Sequence, residues 1–288
     1  AGPVDMDRLA RGVAEIEGLG FRARVPDGIG ERLRFTAGSV ERRVAELEAL
    51  LADDEVSAIV CARGGAGAGA MLRHLDPRLA LAHPKAFIGY SDATFLHRWF
   101  GVHGLVTFHG PMAARELADG TYDRDSFLRT LTGEGGPYAT EADDLVPLRS
   151  GSARGRLSGG CLSILAAAAG TPWALTASDE PAILFIEDVD EPPYRVDRLL
   201  FQLRESGGLE GVGGIVFGDM KGCTPPMRAD FGLEDVILEA LSGMEIPIAL
   251  GLSSGHASSP AVTLPFGVRA RLTCGAETRL EILEPAVS

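Results

Sequence analysis

Ala86-Phe87-Ile88-Gly89-Tyr90-Ser91-Asp92-Ala93-Thr94-Phe95-Leu96-His97-Arg98-Trp99-Phe100 is the stretch on which the fold turns. A short apolar run, a one-residue corner and a longer apolar run read as strand, turn and helix. A serine at such a corner has its hydroxyl pushed clear of the backbone. The first N–H groups of the following helix point toward whatever that hydroxyl attacks. Ser91 is therefore a candidate nucleophile. Gly-x-Ser-x-Ala is a weak motif by itself, and the same residues read at least as well as a Ser-Asp pair capping an ordinary helix.

Outward from this unit the first half of the chain alternates helix and strand. Leu9, Val13, Ile16 and Leu19 recur at helical spacing and are closed by Gly18 and Gly20. Residues 21–25 read as a strand, and Ser39 caps a second helix with Val44, Leu47, Leu50 and Leu51 on its apolar face. Residues 56–61 form a continuous apolar run, as in a strand covered on both faces. That run leads into Arg63-Gly64-Gly65-Ala66-Gly67-Ala68-Gly69 and a further helix, and strands are expected at 86–88 and 106–108. The alternation predicts right-handed crossovers around a mostly parallel sheet, with sites beyond the C-terminal strand ends. The glycine loop and Ser91 both lie at such ends.

From about residue 133 to 152 the pattern gives way to Gly, Pro and acidic residues. We divide the chain into 1–135, a linker at 136–152, and 153–288. In the last part strands are expected at 153–157, 182–186, 214–217, 246–250, 262–264, 268–273 and 279–282, with helices at 162–169, 193–205 and 233–241. A chain of 288 residues suits two such units, on the usual scale of about 100–200 residues per domain.

The net charge of −13 argues against nucleic acid or an anionic membrane as the main partner. Cys61, Cys161, Cys223 and Cys274 are far apart, which fits neither a zinc site nor a disulfide framework; free thiols in a reducing cytoplasm are the simplest reading. The most apolar stretch, 162–170, is too short to span a bilayer. No basic-then-apolar leader precedes Met6, so nothing directs secretion. The chain opens at Ala1-Gly2-Pro3 close to its first helix, and an opening strand is expected to be missing.

A nucleophilic serine needs a base, an orienting carboxylate and oxyanion donors. Gly64, Gly65, Gly67 and Gly69 fit neither Gly-x-Gly-x-x-Gly nor a Walker loop. A glycine pair beside a nucleophile can offer an unhindered N–H to an oxyanion, or simply allow a tight turn. Glu187-Asp188-Val189-Asp190-Glu191 reads as a solvated capping loop, as a hard-cation site lacking calcium-loop periodicity, or as the source of a carboxylate that orients a histidine. Glu187, the first acid after its strand, suits the last role better than Asp188. Of six histidines, His74, His83, His97 and His103 read as surface or satisfied core. His109, at a strand end in the same sheet as Ser91, competes for the role of base. His256, in Ser253-Ser254-Gly255-His256-Ala257-Ser258, has nothing apolar to pack on and is the better candidate. A guanidinium reads a free carboxylate with two parallel hydrogen bonds, and Arg63 beside the glycines is the first candidate, with Tyr90 also on the substrate side. Arg195 and Arg198 are expected to brace Glu187 or Asp188.

Four motifs occur together in order: Arg63-Gly64-Gly65; Gly89-Tyr90-Ser91-Asp92; Glu187-Asp188 with Tyr194-Arg195-Val196-Asp197-Arg198; and Gly255-His256 with Thr263-Leu264-Pro265. Over nearly the whole chain they resemble the LD-carboxypeptidases and microcin C immunity peptidases. The resemblance implies a triad of Ser91, Glu187 and His256, with the backbone N–H groups of Gly65 and Asp92 as oxyanion donors. It implies an N-terminal flavodoxin-like domain and a C-terminal α/β domain with a small β-barrel-like core. It also implies a cytoplasmic homodimeric serine carboxypeptidase acting on muropeptides, with no cofactor or metal. Ala66 stands where many relatives have tyrosine, Cys161 where asparagine is usual, and Pro260-Ala261 where an asparagine often follows the histidine. The alternatives are a microcin C immunity-type peptidase that cleaves peptidyl- or aminoacyl-nucleotide amides, and a non-catalytic binder of anions or small ligands.

Overall fold

The computed structural model describes residues 1–133, 138–140, 145–177, 179–258 and 260–287. Two amphipathic helices open the chain. Asp5 caps α1 (Met6–Gly18) by accepting from the N–H groups of Asp7 and Arg8, and Ser39 caps α2 (Val40–Ala52) by accepting from Arg42. Each cap satisfies donors that a helix start leaves without partners. There follow β1 (Ala58–Val60), α3 (Pro77–Ala82), β2 (Ala86–Gly89), α4 (Thr94–Val102), β3 (Thr107–His109) and α5 (Arg124–Thr132). Next come β4 (Tyr138–Thr140), β5 (Val146–Arg149), β6 (Gly151–Cys161), α6 (Leu162–Ala168), β7 (Ala182–Glu187), α7 (Pro193–Glu205), β8 (Val212–Gly218) and α8 (Leu233–Ala240). The last strands are β9 (Ile248–Leu252), β10 (Leu264–Phe266), β11 (Arg269–Cys274) and β12 (Arg279–Ile282).

β1, β2 and β3 are parallel neighbours, as the helix–strand alternation predicts. The fourth strand of their sheet comes from far along the chain: β10 runs antiparallel beside β3, with Leu264 opposite His109. Periodicity could not assign β10 to this sheet, because a short buried strand reads the same in any sheet.

The second sheet has the order β4-β12-β11-β6-β7-β8-β9-β5. Its centre, β6 to β9, is parallel, with α6, α7 and α8 as the crossovers. Both faces of this centre are covered, so β7 and β8 read as unbroken apolar runs in which Ile183, Leu184, Phe185, Ile215, Val216 and Phe217 are wholly buried. One face packs on the crossover helices through Leu165, Val196, Leu200 and Ile237. The other curls over a second core that includes Phe185, Val216, Leu264, Phe266, Leu272 and Leu280. That curl is the barrel-like core, but its pairing is open. β4 and β5 stand at opposite margins, and no ladder joins them among the described residues.

Three expectations need correction. Residues 21–25 form no strand, and Phe21 and Val25 are exposed. β1 is the margin of its sheet, and a cavity of about 1180 Å³ is lined by β1 together with Phe21, Val13, Ile16, Leu47 and the charged Arg24, Arg42 and Glu46. An extended segment without a ladder partner has no sheet to join. The stretch read as a linker contains β4 and β5, while 134–137 and 141–144 lie outside the described residues. The helix expected directly after the glycine loop is a single turn, Leu72–His74, with α3 beginning only at Pro77.

The two sheets are joined by polar contacts as well as by the shared core. Cys161 at the end of β6 donates its N–H to Thr94 Oγ1 at the head of α4, 3.0 Å away. Arg98, one turn further along α4, donates to Ser158 Oγ at 3.0 Å and to the carbonyls of Trp173 and Ala174 at 3.2 and 2.9 Å. Thr94→Val keeps the side chain's shape but leaves the buried Cys161 N–H without an acceptor. It is expected to lower stability by about 1–3 kcal/mol in urea denaturation; an unchanged midpoint would show that the contact is not needed.

Candidate active site

β2 ends at Gly89, and the chain reverses over Tyr90 and Ser91 into the turn Ser91–Ala93 and then α4. Ser91 has φ +62°, the left-handed region that costs a non-glycine residue. Such a corner lifts the side chain off the strand axis, as the sequence led us to expect. Asp92 faces inward, 2% exposed, and its carboxylate accepts from Ala68 N at 2.9 Å. The first acid of the helix thus anchors the glycine loop. Burial pushes the Asp92 carboxyl above its usual range, against the pull of that bond.

The loop lies directly on the serine. A Cβ added at Gly64 would stand 2.8 Å from both Ser91 Cβ and Oγ, so only glycine lets the backbone come so close. Among the described residues the Ser91 hydroxyl makes no hydrogen bond. Arg63 donates from Nη1 to the Pro3 carbonyl at 3.0 Å, while its buried Nε has no partner.

Glu187 is the last residue of β7 and is 1% exposed. Its Oε2 accepts from His256 twice, from Nδ1 at 2.8 Å and from the backbone N–H at 3.1 Å. His256 lies in the loop between β9 and β10, on the far side of the molecule's connectivity from β7, so only the fold brings the two together. Gly255, at φ +77°, lets that loop cross over the carboxylate; a Cβ there would meet Glu187 Cδ at 2.8 Å. Burial alone would raise the Glu187 carboxyl, but the neighbouring imidazoles of His109 and His256 outweigh it and hold the group at about 2. The His109 contact is 3.9 Å, longer than a hydrogen bond, so the direction rests chiefly on the bonds from His256. Burial likewise pulls the His256 imidazolium down, yet its bond to Glu187 and the charges of Glu187 and Asp188 leave its pKa raised, with Arg115 opposing.

Tyr90 ties the serine strand to this pair. Its ring meets the His256 ring edge-on, with centroids 4.8 Å apart at 86°. Its hydroxyl donates to Glu116 Oε1 at 2.6 Å, and Glu116 Oε2 accepts from Met112 N at 3.2 Å. Arg115, in the kinked turn Ala113–Leu117, is half-exposed and lies 3.9 Å from Glu116 Oε1.

The acidic run is divided among separate tasks. Asp188 accepts from Ser163 N in the first turn of α6 at 2.7 Å and from Val189 N at 2.9 Å, so it caps α6. Glu191 pairs with Arg195 at 2.6 Å, and Arg198 stacks over the Tyr194 ring at 5.1 Å. Neither arginine braces Glu187 or Asp188, contrary to expectation, because α7 carries both toward its own exposed residues. His97 is satisfied core, bonded to Thr107 Oγ1 and the Gly89 carbonyl at 2.8 Å each, and burial holds it near about 3. Sequence reading missed Glu116 and Arg115, which sit in an irregular turn with no periodic signal. It treated His109 only as a rival base, although a place at the end of β3 already put it beside the serine strand.

A strand-corner serine, a histidine with one ring nitrogen held by a buried carboxylate, and a glycine loop packed on the serine are the parts of a serine peptidase. Residues 1–110 match the LD-carboxypeptidase N-terminal domain and residues 154–272 the LD-carboxypeptidase C-terminal domain. The chain belongs to the LD-carboxypeptidase family. It is similar to the probable murein peptide carboxypeptidase of Bacillus subtilis, 35% identical over 100% of this chain and 90% of that one. A crystal structure of muramoyltetrapeptide carboxypeptidase from Oxalobacter formigenes superposes with a TM-score of 0.86 at 29% identity, covering 98% of this chain and 97% of that one. The microcin C7 self-immunity protein MccF of Escherichia coli is 28% identical over 91% of this chain and 84% of its own.

Gly64→Ala would push a methyl group against Ser91 Oγ. Fluorophosphonate labelling of Ser91 is expected to slow at least tenfold in this variant, with a loss of stability of about 1–3 kcal/mol from the clash. Labelling at the wild-type rate would show that the loop has room to move.

Proposed function

We propose that this enzyme is a carboxypeptidase that hydrolyses the bond between the L-centre of a diamino acid and a terminal D-alanine in murein-derived peptides. Ser91 is the nucleophile, His256 the base and Glu187 the orienting carboxylate. The observation that carries this reading is the 2.8 Å bond from His256 Nδ1 to Glu187 Oε2. A carboxylate can only accept, so Nδ1 bears the proton and Nε2 of the neutral ring is left with its lone pair.

In the reaction Nε2 takes the Ser91 proton as Oγ bonds to the substrate carbonyl carbon. Glu187 stabilises the imidazolium that results. The backbone N–H groups of Gly65 and Asp92 receive the charge on the carbonyl oxygen; one such donor typically contributes about 2.7–4 kcal/mol. The C–N bond then breaks, His256 returns its proton to the D-alanine amine, and water hydrolyses the acyl-enzyme by the same route. No helix among the described residues is long and apolar enough to cross a membrane. A homodimer working in the cytoplasm, where murein fragments are recycled, accords with this reading.

The substrate's terminal carboxylate calls for a guanidinium. Arg63 is the sequence candidate, but one of its nitrogens is committed to Pro3. Arg115 is half-exposed and sits beside the Tyr90–Glu116 pair, whose tyrosine ring packs on His256, which favours it as the reader.

Muropeptides with and without the terminal D-alanine, and an aminoacyl sulfamoyl nucleoside, make a discriminating panel. Release of D-alanine lost in Ser91→Ala supports the proposal. Cleavage of the nucleoside conjugate alone would assign the immunity-type activity instead. Because the base must be neutral and its pKa is raised, kcat/KM is expected to fall with decreasing pH along a limb above the ordinary histidine value of about 6.5. Glu187→Gln removes the charge that raises it, so the limb should move to lower pH while kcat falls roughly 10⁴-fold. A limb that stays in place would show that Glu187 does not govern the base. Arg115→Ala is expected to weaken cleavage of the free acid far more than of its C-terminal amide, and more than Arg63→Ala does; equal losses on acid and amide would remove Arg115 from carboxylate recognition.

A further inference from the structure

Among the described residues, only one oxygen of Glu187 is bonded. Oε2 takes both bonds from His256, whereas Oε1 has no hydrogen-bond partner in a residue that is 1% exposed. Facing Oε1 at 3.9 Å is Nε2 of His109, wholly buried and likewise unpartnered. Two unpaired polar atoms of complementary kind, sealed together and aimed at one another, are an arrangement that folded chains otherwise avoid.

The His109 ring is held in place on every side. Phe185 and Phe266 pack on it at 5.1 and 5.4 Å, and Tyr90 at 5.8 Å. Its Nδ1 lies 3.1 Å from Ser254 Oγ, which is also 2.8 Å from the Val262 carbonyl. A Cβ at Gly255 would come within 2.9 Å of His109 Cε1. The segment Ser254-Gly255-His256 thus straddles two imidazoles: Ser254 touches His109, and His256 is the ring on the other oxygen of Glu187.

The Ser254 hydroxyl has one proton and two acceptors in reach. If it donates to Val262, Nδ1 of a neutral ring carries the proton and a bare Nε2 lone pair faces a carboxylate, which is repulsive between groups buried this deeply. If it donates to Nδ1, the proton sits on Nε2 and points at Oε1. The Glu187 charge selects the second setting, because freeing a neutral carbonyl costs less than setting a lone pair against an anion.

We propose that His109 is a positioning residue: its Nε2–H faces Oε1 of Glu187 across 3.9 Å and offsets the charge on that oxygen at a distance longer than a hydrogen bond, so that Oε2 remains on His256 throughout turnover. The proposal rests on the reading of Glu187 and His256 as partners of Ser91. His109 is then neither a base nor a core filler but the second of two imidazoles facing one carboxylate at opposite oxygens.

Nitrogen-15 NMR of the full-length protein, with His109 assigned by loss of its signals in His109→Gln, reads the tautomer directly. The expected result is a proton on Nε2 and none on Nδ1; an Nδ1-protonated neutral ring overturns the proposal. In kinetics, His109→Phe should lower kcat at least tenfold with KM within twofold. His109→Gln, whose amide can donate to Oε1 and accept from Ser254, should recover most of the lost kcat. Equal losses in the Phe and Gln variants would indicate packing alone and overturn the assignment. Failure of wild-type Ser91 to react with a fluorophosphonate would sink the nucleophile reading separately, since the tautomer is measured without turnover.

Discussion

Burying a carboxylate at the end of β7 creates a demand that its neighbours meet from two elements. Taking such a group out of water costs several kcal/mol unless charge and hydrogen bonds replace the solvent. β7 is among the most deeply covered strands of the molecule, so Glu187 cannot turn outward for relief. The loop after β9 answers with the backbone and ring N–H of His256, and β3 sets the ring of His109 3.9 Å from the other oxygen. The aromatic shell of Tyr90, Phe185 and Phe266 keeps those rings from rotating away. A single buried charge thereby fixes the relative placement of a parallel strand, an irregular loop and a strand of the other sheet.

The serine side of the site is organised by close approach instead of charge. Ser91 is strained at φ +62°, and the glycine loop is packed upon it with no space for a side chain. What prevents relaxation is Asp92, buried and bonded to the loop at Ala68, together with the contact from Thr94 to Cys161 across the sheet boundary. Strain of this kind survives only where the surroundings over-determine it. Cys161 occupies a junction in this network, and burial raises its thiol far above the reactive range, so it behaves as a small apolar residue there.

The elements legible in the sequence were those whose signal is local. Helix α7 and strand β12 have the bounds that their patterns indicate, since a proline start and short apolar alternation need no knowledge of the rest of the chain. The strand–corner–helix around Ser91 was legible for the same reason. Residues 21–25 misled because strand propensity says nothing of whether a neighbour exists to pair with. β4 and β5 were hidden because glycine, proline and acidic residues at sheet margins look like linker. In the candidate site, Glu187 and His256 could be named from strand-end position and loop composition. The placement of His109 opposite the far oxygen, and the Tyr90–Glu116 link behind it, depend on register across β2, β3 and β10, which no window along the chain contains.

The pairing of β10 with β3 has a consequence for the life of the chain as it is made. Ser91 and its glycine loop leave the ribosome well before β10, yet the sheet that holds them is finished only when Leu264 settles opposite His109. Contacts so distant in sequence form late, because the loop they close must first be ordered. His256 lies just ahead of the same strand, so the last edge of the N-terminal sheet and the histidine of the site arrive in one event. A nascent chain therefore presents Ser91 before the last strand of its sheet, and the histidine proposed as its base, have been made.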